Sequence, residues 1–162
     1  MFTYRKQKNQ FGHDNVIACI IGAGLIAGVG GTAAITLAQM IEMKISGRKP
    51  SDTPARAGAK VLGVEPRTEE DKERFNNLVH WCYGSMWGIF RADLLLLGMR
   101  KCPATILHFF AIWLSGMVFL PQLKVSPPPW KWGWKALAMD IVFHIVYALG
   151  AGVVFDKLIK RR

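Results

Sequence analysis

The sequence predicts an all-α, polytopic membrane protein: four transmembrane helices in a bundle, with a polar loop after the first. Three observations predict it. From Val16 to Ile41 there is no charged side chain, a run of about 26 residues; at about 1.5 Å rise per residue a helix of that length reaches roughly 39 Å, more than the roughly 30 Å of a bilayer core. Three further segments of mainly apolar residues follow at about 78–98, 104–123 and 136–155. The charge is concentrated outside these segments. The apolar fraction of 51% decides little, because it is only slightly above that of soluble chains.

The basic start before Val16 invites comparison with a signal peptide. The apolar run is far longer than the roughly 7–15 residues of a signal core, and no small-x-small cleavage pattern follows a short core, so an uncleaved anchor helix is expected. This first span carries Gly22, Gly24, Gly28, Gly30 and Gly31. Gly24, Gly28, Thr32 and Thr36 recur every four residues and share a face on which another helix backbone can approach closely. The stretch from Gly22 to Ala27, with Glu42 downstream, imitates a dinucleotide-binding fingerprint. That fingerprint requires a strand, a tight turn and then a helix, and an unbroken span leaves no place for the turn; helix packing is the expected role.

The connection at 42–77 is polar and nearly neutral, with eight Lys/Arg against seven Asp/Glu. Pro50-Ser51-Asp52-Thr53-Pro54 predicts a turn, with Thr53 capping a short helix that begins at Pro54. Thr68-Glu69-Glu70-Asp71 resembles a capping box with Asp in the Glu position, and starts a helix outside the bilayer that continues into the second span. That span, about 78–98, is the least apolar. It contains His80, Arg91 and Asp93, and Gly84 and Gly88 at the spacing that favours close helix contact. A charge at the centre of a span costs about 2.5–3.5 kcal/mol on insertion scales, so Arg91 and Asp93 are expected to face the bundle or a wet cavity. Being two apart they do not face each other; Asp156 or the last-turn carbonyls are candidate partners for Arg91, and Lys101 or His108 for Asp93.

The third span, about 104–123, is conventional, with His108 near its start, Trp113 within and Pro121 at its exit. Pro127-Pro128-Pro129 predicts a stiff extended turn, and the alternating Trp130, Trp132 and Trp134 belong at head-group level. The fourth span, about 136–155, holds Asp140, His144 and Tyr147 on one face and runs into a basic tail. Cys19, Cys82 and Cys102 form no disulfide framework or zinc spacing and are expected to be small apolar fillers.

The net charge of +10 has its excess in Arg5, Lys6, Lys8, Arg100, Lys101, Lys157, Lys160, Arg161 and Arg162. Basic residues beside spans mark the cytoplasmic side and anionic head groups. Nucleic-acid binding is not expected, since no basic stripe is interleaved with exposed aromatics. Four crossings put both termini on one side. Lys and Arg number nine in the tails and second loop against eleven in the first and third loops, which does not decide orientation; the seven acids in the first loop and the basic cluster hugging the last helix favour both termini inside.

Several motifs together carry a family resemblance. A glycine-rich first span precedes Gly47-Arg48-Lys49-Pro50-Ser51-Asp52-Thr53-Pro54-Ala55. Then come His80-Trp81-Cys82-Tyr83-Gly84-Ser85-Met86-Trp87-Gly88, a Leu120-Pro121 exit before a proline/tryptophan turn, and His144-Ile145-Val146-Tyr147-Ala148-Leu149-Gly150. This order resembles the YagU-like family of small, largely uncharacterised bacterial inner-membrane proteins, with Ala148 departing from a His-x-x-Tyr-Gly form. The resemblance implies location and architecture; it implies no reaction and no catalytic residues.

The candidate site is therefore an intramembrane polar network of His80, Arg91, Asp93, Asp140, His144 and Tyr147, beside packing glycines at 24, 28, 84 and 88. Three roles compete for it: a satisfied network that pins the helices, a proton or ion pathway, and bis-histidine haem ligation by His80 and His144. An expected depth offset of one to two turns between the histidines, with Asp140 alongside, counts against haem, and no other cofactor or metal is expected. No catalytic triad, phosphate-binding loop or paired acid/base carboxylates can be assembled. The resulting expectation is a non-enzymatic structural or accessory subunit that works through other membrane subunits or through self-association. The alternatives are a small oligomeric transporter or channel, then a haem electron carrier.

Overall fold

The computed structural model describes residues 2–3 and 13–160, with side chains for 15–159; Arg5, Lys6, Lys8, Arg161 and Arg162 of the basic tails lie outside the described residues. The first helix, α1 (His13–Ser46), is continuous over 34 residues. It contains no proline, and no charge between Asp14 and Glu42. The segment that imitates a nucleotide-binding fingerprint is mid-helix. Gly47 ends α1 in the left-handed region at φ 71°, and its N–H reaches the Met43 carbonyl at 2.9 Å, as a glycine after a helix commonly does.

Helix α2 (Thr53–Leu62) begins one residue earlier than its proline pattern predicts. Asp52, not Thr53, is the N-cap, and its side chain makes no capping bond. Ser51 Oγ accepts from the Thr53 N–H at 3.2 Å instead, which frees the Asp52 carboxylate for Lys72 at 3.4 Å. Helix α3 (Glu69–Leu96) starts on Thr68, whose Oγ1 accepts from the Asp71 N–H at 3.1 Å and donates to the Asp71 carboxylate at 2.8 Å. Three acids in its first turn complement the helix dipole, and the helix then runs unbroken for 28 residues.

Helix α4 (Lys101–Gln122) carries Pro121 in its last turn. The extended turn expected after it is shorter than the three prolines suggest. Pro128 is extended (φ −58°, ψ 147°), and Pro129–Lys131 closes into a single 3-10 turn, held by the Trp132 indole N–H on the Pro127 carbonyl at 2.6 Å. Trp132 is thereby half-buried, while Trp130 and Trp134 project outward at 82% and 76% exposure. Helix α5 (Trp134–Leu158) completes the bundle. A two-residue parallel pairing joins β1 (Phe2–Thr3) to β2 (Ile159–Lys160), so the two ends of the chain meet at one end of the bundle.

α1 is the central helix, packed along α3 on one side and α5 on the other, while α4 rests on α5 and more lightly on α3. Gly24 lies against Gly88 and Gly28 against Gly84, so α1 and α3 are antiparallel; Gly30 against Val154 and Ala34 against Gly150 make α1 and α5 antiparallel too. One apolar cluster joins Val16, Ile20, Ala23 and Ala27 to Ala92, Leu95, Phe155 and Ile159; the other joins Ile35, Ile112, Phe143, Tyr147 and Ala151. Leu25, Ile26, Val29, Leu37, Phe110, Leu114, Val142 and Leu149 face outward, an apolar exterior that suits lipid rather than water.

Among the described residues three helices are long and apolar enough to cross a membrane: Asn15–Ser46, Lys101–Gln122 and Trp134–Leu158. This is a membrane protein by that measure, with three such helices rather than four. α3 is long enough, but His80, Arg91 and Asp93 interrupt its apolar residues. The cysteines are not fillers: Cys19, Cys82 and Cys102 are exposed free thiols on the outside of the bundle.

Candidate functional site

The four glycines singled out at 24, 28, 84 and 88 come together in one contact between α1 and α3. A Cβ on Gly24 would lie 2.6 Å from the Gly88 carbonyl oxygen and 2.9 Å from Ala92 Cβ. A Cβ on Gly28 would overlap the Ser85 carbonyl oxygen, one on Gly88 the Gly24 carbonyl, and one on Gly84 the Thr32 hydroxyl. The two backbones therefore touch, as small residues in membrane helices allow. Thr32 returns its hydroxyl to the Gly28 carbonyl at 2.8 Å and Thr36 to that of Thr32 at 2.7 Å. The Thr36 hydroxyl also meets His80 Nε2 at 3.1 Å, so His80 turns toward α1.

A second glycine face was missed. Gly30 and Gly31 meet α5, where a Cβ would lie 2.6 Å from Val154 Cγ2 and 2.8 Å from the Tyr147 ring. The adjacent Gly30-Gly31, facing Gly150 and Ala151, was the signal available for it.

Tyr147 sits where α1, α3 and α5 converge, almost wholly buried, and its hydroxyl donates to the Gly84 carbonyl at 2.5 Å. It shares an arc of α5 with Asp140 and His144 but joins neither. His144 Nδ1 lies 2.8 Å from the Asp140 backbone carbonyl and 3.6 Å from its carboxylate, and Trp113 Nε1 donates to that carboxylate at 2.9 Å, tying α5 to α4. The sequence placed Trp113 within its span without giving it this role.

His80 and His144 are also closer in depth than the sequence suggests. The contacts Gly84–Tyr147 and Arg91–Asp156 set α3 and α5 parallel and put residue 80 near the level of residue 143. Depth is not what separates them; each turns to a different neighbour, His80 to α1 and His144 back onto its own helix. The geometry brings them to no shared cavity.

Arg91 is 2% exposed and meets Asp156 Oδ1 at 3.2 Å, with its guanidinium 5.0 Å above the Phe155 ring. Lys101 approaches the other Asp156 oxygen at 3.6 Å. Neither partner expected for Asp93 reaches it: Lys101 is on Asp156, and His108 Nε2 is on the Trp87 carbonyl at 3.0 Å. Asp93 follows Arg91 by about 200° of helix rotation, so it points away from that cluster; it is half-buried and its carboxylate has no hydrogen bond or ion pair among the described residues.

His108 is the functional group that sequence reasoning undervalued. It is fully buried, its ring 5.5 Å edge-on to Tyr147 and 6.1 Å from Phe90, and its Nδ1 has no hydrogen-bond partner among the described residues. Ala104, His108 and Ile112, the buried residues of α4, recur every four and would have turned it inward.

The polar groups thus form separate ties between helices at different levels. Among the described residues no set of three His, Cys, Asp or Glu is placed to hold a metal. An open groove of about 280 Å³ between α4 and α5, lined by Thr105, Ile106, Phe109, Phe110, Ile145, Ala148 and Leu149, contains no titratable group. No protein-family model, curated protein or solved structure matches this chain. The resemblance to the YagU-like family therefore rests on the quoted motifs alone.

Proposed function

We propose that the protein is a four-span, non-catalytic structural or accessory subunit of a membrane assembly, seated in a bacterial inner membrane with both termini cytoplasmic. The observation that carries this reading is the backbone contact of α1 with α3. α3 lies antiparallel along α1 through Gly84, Gly88 and Ala92, so it occupies the same depth as the most apolar span. Pairing Arg91 with Asp156 offsets the insertion cost of a charge at that depth. Each polar tie joins helices or caps its own turn, which is the behaviour of a packing framework. Pairing of Phe2–Thr3 with Ile159–Lys160 supports an even number of crossings. Arg100, Lys101 and Lys157 flank the spans at that end, which supports a cytoplasmic placement. The motif order that resembles the YagU-like family supports the same membrane.

The test is the mass of the detergent-solubilised protein purified gently from its native membrane and again after stringent washing. A subunit leaves the native membrane in a particle larger than the bare chain and shrinks on washing. A monomer under both conditions overturns the reading. A second reading, proton or ion translocation, draws on one observation: beside Tyr147, the buried His108 Nδ1 has no hydrogen-bond partner among the described residues. It predicts a flux in vesicles that His108→Gln abolishes without loss of assembly.

A further inference from the structure

The short helix α2 belongs to no span, yet it is not solvated on all sides. Around its axis Ala55, Ala57, Gly58, Val61 and Leu62 fall on one broad arc, and Arg56 and Lys60 on the opposite one. Part of the apolar arc is covered by α3. Ala55 N–H donates to Asn76 Oδ1 at 2.8 Å, Asn76 Nδ2 donates to the Ser51 carbonyl at 3.1 Å, and Gly58 fits against Val79 and Phe75. The remainder is bare: Val61 is 68% and Leu62 63% exposed, and Val64 just beyond the helix is 44% exposed.

Its neighbours fix the height at which this bare face sits. α2 packs on residues 75–79, where the charged start of α3 gives way to its apolar part. On the other side Lys60 Nζ donates to the Leu123 carbonyl at 2.6 Å, satisfying an end carbonyl just beyond α4. The same end carries the outward Trp130 and Trp134, side chains that favour the head-group layer. α2 is thus held at the level where two spanning helices leave the apolar layer. We propose that α2 is an interfacial helix, with Val61, Leu62 and Val64 seated in the head-group/acyl boundary of the protein's own bilayer and Arg56 at the head groups. The occupant is lipid because the boundary lies at that height whatever else the bundle binds, and because a broad apolar arc opposite basic residues is the pattern of helices that lie in the interface plane.

The inference rests on the membrane reading, and one experiment separates the two. In a variant with Cys19, Cys82 and Cys102 replaced by Ser, a bimane probe is placed at Val61→Cys, at Leu114→Cys in α4 and at Glu73→Cys in the first turns of α3. The protein is reconstituted in vesicles of phosphatidylcholine and phosphatidylglycerol. Quenching is compared for aqueous iodide, a nitroxide high on the acyl chain and a nitroxide near its end. The Val61 probe is expected to be quenched about twofold more by the shallow nitroxide than by either other quencher, as suits a face buried about 5–10 Å into the boundary. Leu114 should favour the deep nitroxide and Glu73 iodide. If Val61 follows iodide while Leu114 follows the deep nitroxide, α2 is a solvated loop helix and the inference falls with the membrane reading intact. If Val61 follows the deep nitroxide, α2 dips into the core and the inference falls as well. If Leu114 does not follow the deep nitroxide, both fall. Leu62→Cys replaces Val61→Cys should the latter fail to assemble.

Discussion

Replacing single glycines of α1 by alanine separates close helix approach from every other property of glycine. Gly22→Ala and Gly28→Ala are the same chemical change, six residues apart on one helix. Each should gain at most about 1 kcal/mol of helix propensity, a term that cancels between them. Their surroundings differ completely. A Cβ at Gly22 meets nothing within 4 Å. A Cβ at Gly28 overlaps the Ser85 carbonyl oxygen and lies 2.8 Å from that of Gly84, and both obstacles are backbone that no rotamer change can move. Ordinary contact needs about 3.5–4.0 Å, so α1 and α3 must part by roughly 1 Å. Overpacking of this kind costs about 1–3 kcal/mol, and parting the helices also loosens the Gly24–Gly88 contact beside it. Gly28→Ala should therefore be about 1–3 kcal/mol less stable than Gly22→Ala. At about 2–4 °C per kcal/mol for a chain of this size, thermal unfolding in detergent followed by circular dichroism should show a Tm difference of roughly 2–12 °C. Replacing Gly24 and Gly28 together by Leu should lower Tm further. If the two alanine variants melt alike, α1 and α3 are not in backbone contact, and the support for α3 as a fourth span goes with it.

Three further outcomes follow from other parts of the bundle. Asp156→Asn takes away the carboxylate that meets the nearly inaccessible Arg91 and should destabilise by about 1–3 kcal/mol; a fully stable Asp156→Asn protein, judged by detergent melting, would show that the ion pair does not hold α3 to α5. Reporter fusions after Arg162 and within the 53–67 segment should report opposite sides of the membrane, because three crossings separate them in a four-span bundle; matching signals would mean that α3 does not cross. His144→Gln keeps a hydrogen-bonding side chain beside the Asp140 carbonyl, so expression and particle size should stay near those of the parent; loss of a proton-coupled flux in a fully assembled variant would replace the structural reading with a transport one.

The sequence by itself determined the elements. An uncharged run of about 26 residues, the Pro54 start of a short helix and a capping Thr68 act locally, through hydrocarbon length and hydrogen bonds within a turn, so the elements could be located without knowledge of their neighbours. The stripe of Gly24 and Gly28 and the Gly84/Gly88 pair were legible for the same reason, since helical periodicity is a local property. Tertiary structure decided which faces meet. It assigned Gly30 and Gly31 to α5, turned His80 to Thr36 and Trp113 to Asp140, sent Tyr147 across to α3 and buried His108 against Tyr147. It also left Asp93 without the partners its spacing offered and put all three cysteines outside. Each of these depends on the rotation of one helix about its axis relative to another, and on a register of α3 against α5 set by contacts more than 60 residues apart in the chain, as between Gly84 and Tyr147. Along the apolar helices the outward faces carry large hydrophobic residues as well, Leu25, Leu37, Leu114 and Leu149 among them, so hydrophobicity does not mark the inward face as it does in water. Close backbone approach and the pairing of a few polar groups fix that face instead, and both are properties of two helices together.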